Sequence, residues 1–286
     1  MMKIFNVYRK ETSHKKKQSD VRLINSKTII EELNQVASEA AEFYLDEPYD
    51  YKGRRITPKN VLKAGQSLRH MDVIIKTVEY TVGEKILDVG IAYGFYDVVL
   101  KRQFGFNVSG IDHPDNIETY CRYPIHQGIP VLPCDLHFEN IPFPDDEFDT
   151  IIASEIIEHL LCPPKVLFTK IFKVLRRGGR LIVTTPNFAS LRNILLLATG
   201  KNPTASFPQN VTWSKEKIID PRVHPREYTV NEVKSGLSAA GFEVLSMKLR
   251  MNQPQSAPSL FLRAVGTIMR ILPKYREGIV AIGIKH

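Results

Sequence analysis

The spacing of apolar residues changes character near Glu84. Before it, Ile29, Ile30, Leu33, Val36, Ala37, Ala40, Ala41, Phe43 and Tyr44 recur at helical intervals, which predicts a helix over 28–44. A polar link carrying Pro48 and Gly53 follows, then a second helical pattern over about 60–80, stopped by Gly83. After Glu84, short apolar runs alternate with helical stretches. Strands are expected over 85–89, 106–111, 129–134, 148–153, 180–184, 242–249 and 278–284. Helices are expected over 95–104, 164–175, 189–198, 229–240 and 260–272, with Gly105 closing the first and Thr229 capping the fourth. This alternation predicts an α/β fold: a mostly parallel seven-stranded sheet with helices on both faces, preceded by an N-terminal helical cap. Such sheets hold ligands beyond the C-terminal ends of their strands.

Length adds a division into parts. The 286 residues suit one large domain with an attachment. We read 1–27 as a basic, partly disordered leader, 28–80 as the cap, and 81–286 as the main domain with an insertion at about 187–228. The net charge of +8 is uneven: residues 1–27 hold eight Lys or Arg against two acids, which leaves +2 for the rest. A leader centred on Lys15, Lys16 and Lys17 suits a solvated tail or peripheral contact with an anionic membrane, and the +2 body gives little sign of a nucleic-acid groove. No apolar run approaches the roughly 18 residues of a membrane span, and the polar start has no secretory core, so a cytoplasmic protein is expected. Cys121, Cys134 and Cys162 are sparse and odd in number, which predicts free thiols.

The chemistry concentrates at strand ends. Asp88-Val-Gly-Ile-Ala-Tyr-Gly94 closes the first strand and enters a helix. Gly90 and Gly94 let backbone approach a ligand closely, Ala92 stands between them, and the helix start offers free N–H groups. Asp88 is placed to face an ammonium group. Asp112 ends the second strand, where an acid can accept two ribose hydroxyls. Asp135 follows the third strand. Then come Ile141 to Asp149, Thr150 to Leu160, and Leu175 to Asn187 in order. Together these segments resemble motifs of the class I S-adenosylmethionine-dependent methyltransferases over about residues 80–250, in particular those acting on sugars and related metabolites. The resemblance implies a Rossmann-like sheet, S-adenosylmethionine as cofactor, and a cofactor site of Asp88, Gly90, Ala92, Gly94, Asp112, His113, Asp135, Leu136 and Ser154. It also implies that Asp135 binds the adenine amino group.

The transferred methyl needs an aligned nucleophile and, for a hydroxyl, a proton acceptor. Glu155, Glu158 and His159 follow the fourth strand; on a helix they would converge. Three readings remain open; one is a mainly structural role, and the others involve chemistry. They serve as catalytic residues, with His159 as general base, or they bind Mg²⁺ or Mn²⁺ with His224 as fourth ligand. The metal reading resembles the small-RNA 2′-O-methyltransferases; the ubiquinone-biosynthesis O-methyltransferases carry a related Glu-x-x-Glu-His run. Arg226, Glu227 and Tyr228 read as fold supports. The expected acceptor is a hydroxyl of a sugar, glycan precursor or similar small metabolite. RNA, an aromatic or quinone-like lipid, and a non-catalytic cofactor-binding protein are the alternatives.

Overall fold

The computed structural model describes residues 26–46, 50–51, 54–204, 224–251 and 271–286. The leader before residue 26, the central part of the insertion, and most of the helix expected over 260–272 lie outside these residues. The cap comprises α1 (Ser26–Asp46), α2 (Pro58–Gly65) and α3 (Leu68–Tyr80), with a two-residue antiparallel pair between α1 and α2. The single helix expected over 60–80 is therefore two helices. The break has a packing cause: a Cβ on Gly65 would lie 2.4 Å from the Ala37 Cβ, so α2 ends where its backbone touches α1. Thr57 caps α2 by accepting from the Asn60 N–H.

The sheet has seven strands: β1 (Lys85–Val89), β2 (Asn107–Asp112), β3 (Val131–Pro133), β4 (Phe148–Ser154), β5 (Leu175–Pro186), β6 (Glu243–Arg250) and β7 (Gly278–Ile284). Their order is β3-β2-β1-β4-β5-β7-β6. The first five run parallel and β7 is antiparallel to both β5 and β6. The parallel strands are joined through α4 (Phe95–Phe104), the short α5 (Pro114–Ile117) and α6 (Arg122–His126), and α7 (Pro164–Val174). α8 (Leu191–Ala198) and α9 (Val230–Ala239) follow β5. The short α5 and α6 escape the apolar pattern because each spans little more than one turn. β5 begins five residues earlier than expected because Leu175 pairs with Phe148, so the Arg176–Gly179 turn falls inside the strand.

Side chains alternate across the sheet, and each face has its own core. On one face Ile86 packs with Val98, Val99 and Leu100 of α4 and with Leu33, Val36, Tyr44, Val73 and Ile74 of the cap. On the other, Leu87, Val89, Ile151 and Leu181 meet α7 and α9 through Leu167, Phe168, Ile171, Val233 and Leu237. The cap thus shares a core with the sheet. At the N-terminal strand ends, Asp149 accepts from the N–H groups of Glu84 and Lys85 and pairs with Arg176, so β1, β4 and β5 start in register. The three cysteines are free thiols. No helix among the described residues is long and apolar enough to cross a membrane.

Candidate active site

A cavity of about 560 Å³ opens above the C-terminal ends of β1, β2, β3 and β4. That volume lies within the range of small-molecule sites, roughly 300–1,000 Å³. The loop after β1 forms one wall. Gly90, Ala92 and Gly94 all have positive φ, at 84°, 46° and 59°. Gly94 opens α4 in the left-handed region, and a Cβ there would meet Pro124 at 2.6 Å. Asp112 locks this loop: its Oδ2 accepts from the Ala92 N–H at 2.8 Å, and its Oδ1 accepts from the His113 N–H and Asn116 Nδ2. Burial pushes its carboxyl up, and these donors oppose the shift.

Asp135 stands on the adjoining wall. Burial alone would raise it, but donation from the backbone and ring of His137 prevails and holds it below the usual carboxylate range. His113 lies 3.7 Å from Asp135 and, like Leu136, lines the cavity. The expected cofactor residues Gly90, Ala92, Gly94, Asp112, His113, Asp135, Leu136 and Ser154 are therefore gathered around one space. Asp88 departs from expectation. It is fully buried and does not line the cavity. Its side chain turns beneath the floor, where Oδ2 accepts from the Tyr96 hydroxyl at 2.7 Å. Tyr96 is the residue that reaches the cavity wall.

The turn after β4 also departs from the helical expectation. Glu155 has φ +57°, and a short 3₁₀ turn, Ile157–His159, follows. This geometry gives Glu155 partners of its own and leaves Glu158 close to His159. Glu155 Oε1 accepts from Thr184 Oγ1 and Arg250 Nη2, and Oε2 accepts from Arg69 Nη1 at 2.9 Å. Burial would raise its carboxyl, but Arg250 and Arg69 outweigh burial and hold it low. Both oxygens are thus engaged by the protein, which removes Glu155 from the expected metal ligands. Glu158 is fully buried; Oε2 accepts from Thr185 Oγ1 at 3.0 Å and Oε1 has no partner. Burial, then the charge of Glu155, pushes its carboxyl well above the carboxylate range.

His159 lines the cavity, and His224 meets it edge to face with ring centroids 4.7 Å apart. Ligand-capable atoms of Glu158, His159 and His224 lie within 4.8 Å of one another. His224 Nδ1 is 3.0 Å from Glu227 Oε1, and Asn193 Nδ2 donates to the other Glu227 oxygen at 3.2 Å. Glu227, expected as a fold support, therefore also orients His224.

Several lining residues carry no local motif. Arg69 and His70 come from α3 of the cap, Asn116 from α5, and Tyr96 from α4. His70 stacks on Phe95, and burial followed by nearby Arg69 pulls its imidazole down to about 4, so the ring is neutral. Arg250 closes β6 and reaches Glu155 from far along the sequence. Only His137, two residues after Asp135, had a signal in the order of the chain.

Residues 87–183 match the methyltransferase domain family. Among curated proteins, the chain is similar to phosphoethanolamine N-methyltransferase 3 of Arabidopsis thaliana, with 32% identity over 107 residues, covering 36% of this chain and 21% of that one. It is also similar to the human mitochondrial ubiquinone biosynthesis O-methyltransferase, with 32% identity over 147 residues, covering 49% of this chain and 38% of that one. The match thus spans about a fifth to two fifths of these relatives' lengths. In fold, the chain resembles an S-adenosylmethionine-dependent methyltransferase structure from Mesorhizobium loti, with a TM-score of 0.51 and 17% identity, covering 76% of this chain and 98% of that one. Residues 87–183 thus carry a methyltransferase domain, and the glycine loop, the acids ending β2 and following β3, and the seven-stranded sheet give the chain the fold of the class I S-adenosylmethionine-dependent methyltransferases.

Proposed function

We propose that this protein transfers a methyl group from S-adenosylmethionine to a hydroxyl of a small metabolite, with a sugar or glycan precursor as the acceptor class. The observation that carries this reading is that one cavity is lined both by Asp112 and Asp135 and by His159, which is backed by His224 and Glu227. The residues fit the cofactor: two carboxylates follow adjacent strand ends, and a positive-φ loop leaves backbone close to the ligand space. When bound, S-adenosylmethionine supplies an electrophilic methyl on sulfonium. The protein's part is to hold the acceptor in line and take its proton. His159 lines the cavity and can accept the proton that a weakly acidic hydroxyl must give up as it attacks. The similarity to a ubiquinone biosynthesis O-methyltransferase supports a hydroxyl acceptor.

A divalent cation fits beside His159. The orphaned Oε1 of buried Glu158 and the ring nitrogens of His159 and His224 form a mixed oxygen–nitrogen donor set suited to Mn²⁺ or a related ion. Such an ion would acidify a bound hydroxyl. Calorimetric titration with S-adenosylhomocysteine, followed by transfer of a labelled methyl to a panel of sugars and amines, tests the main reading. Tight product binding with label entering sugars is expected. Product binding with label entering amines alone would overturn the hydroxyl assignment, and no product binding would overturn the cofactor assignment. For the cation, Mn²⁺ titration should give one site lost in His224→Ala; heat of binding unchanged in that variant would remove the metal.

A further inference from the structure

The helix α8 is built inside out. Its buried residue is polar: Asn193 is 4% exposed, donating to the Phe188 carbonyl and to Glu227. Its aliphatic residues turn outward, with Ile194 41% and Leu197 51% exposed, and Leu195 and Leu196 half-buried beside them. Single exposed apolar residues are ordinary on a monomer. An eight-residue helix that hides its asparagine and shows its isoleucine and leucine reverses the usual economy of burial. A second apolar step lies nearby in the fold. Ile271, 72% exposed, and Leu272 precede β7, and the Asn187 N–H and side-chain amide donate to the carbonyls of Glu277 and Arg276. Asn187, just before α8, and Arg276–Glu277, just after Ile271–Leu272, are therefore joined at the C-terminal end of β5.

Charge indicates what these side chains face. Among the described residues, 188–204 hold Arg192 and Lys201, and 271–276 hold Lys274 and Arg276, with no acid in either stretch; Arg192, Lys201 and Lys274 are exposed. Two copies of such a surface repel each other, whereas anionic lipid headgroups attract it while aliphatic side chains enter the acyl boundary. We propose that α8 and the Ile271–Leu272 step form a docking surface for an anionic membrane. Through Asn193, Glu227 and His224, the buried side of α8 is tied to His159 at the cavity. The proposal holds for any acceptor.

The test is vesicle flotation of the full chain, with phosphatidylcholine alone and with phosphatidylcholine mixed with phosphatidylglycerol. The expected result is binding to the mixed vesicles only. Binding should fall at least about tenfold in the Ile194→Gln, Leu197→Gln double variant, from the loss of two inserted aliphatic side chains. Its thermal melt and affinity for S-adenosylhomocysteine should match wild type. Should that variant fail to fold, Ile194→Trp in a Trp213→Phe background should fold and shift its emission to the blue on adding mixed vesicles. No binding to mixed vesicles, binding unchanged in the folded double variant, or no emission shift overturns the proposal. So does binding abolished only by neutralising Lys15, Lys16 and Lys17, which assigns the membrane to the leader. A dimer in sedimentation that the double variant dissolves assigns the face to a second copy and overturns it equally.

Discussion

Ala92 occupies a left-handed position where a Cβ costs about 1 kcal/mol or more, and Gly at that position is free of the penalty. Ala92→Gly is expected to leave stability unchanged or raise it by up to about 1 kcal/mol, the gain being trimmed by the freer unfolded chain. Thermal denaturation checks this, and a loss larger than about 1 kcal/mol would contradict the strain. A second residue-scale consequence concerns Asp88 and Asp97. Burial pushes Asp88 up to about 7, and burial and the charge of Asp88 hold Asp97 well above the carboxylate range. The folded state therefore binds protons more tightly than the unfolded chain. The contribution of these two acids to stability is greatest below the ordinary carboxylate pKa of about 4 and is lost as pH rises from there through about 7. Melting temperature should drop between about pH 5 and pH 8, and Asp97→Asn should flatten that drop. A wild-type melt insensitive to pH would refute the assignment. Asp112 and Asp135 were legible in the sequence because a strand end fixes where such a residue goes. Asp88 was misplaced because its side chain is turned by Tyr96, eight residues on.

At the scale of elements, periodicity located the strands and long helices, and capping chemistry fixed one boundary closely. Thr229 caps α9 in a reciprocal box with Glu232. What periodicity missed was set by contacts distant in sequence. The break between α2 and α3 comes from Gly65 against Ala37, and the turn at Glu155 is held by Thr184, Arg69 and Arg250. No local pattern marks Arg69 or Arg250 as parts of a site. Gly65→Val should force α2 from α1 and cost about 1–3 kcal/mol in urea denaturation, the usual range for overpacking. A variant as stable as wild type would show that α1 and α2 part without penalty.

For the whole molecule, the cap is structurally part of the catalytic domain. The Tyr44 hydroxyl donates to the Tyr120 carbonyl at 2.7 Å and accepts from the Tyr123 N–H at 3.3 Å, joining α1 to the segment beyond Asp112. Tyr44→Phe leaves both backbone groups without that partner and should cost about 1–3 kcal/mol, read from denaturant midpoints. Affinity for S-adenosylhomocysteine should weaken as well, because Asn116 and Tyr120 of that segment line the cavity. Lost stability with unchanged affinity would separate the two. The same unity bears on how such enzymes can be recombined. Glu155 takes one arginine from the cap and another from the far edge of the sheet, so its charge balance belongs to neither part alone. A chimera that borrows a foreign cap inherits half of an electrostatic contract, and unless the graft presents a cation where Arg69 stands, the acid at the heart of the cleft is left under-neutralised.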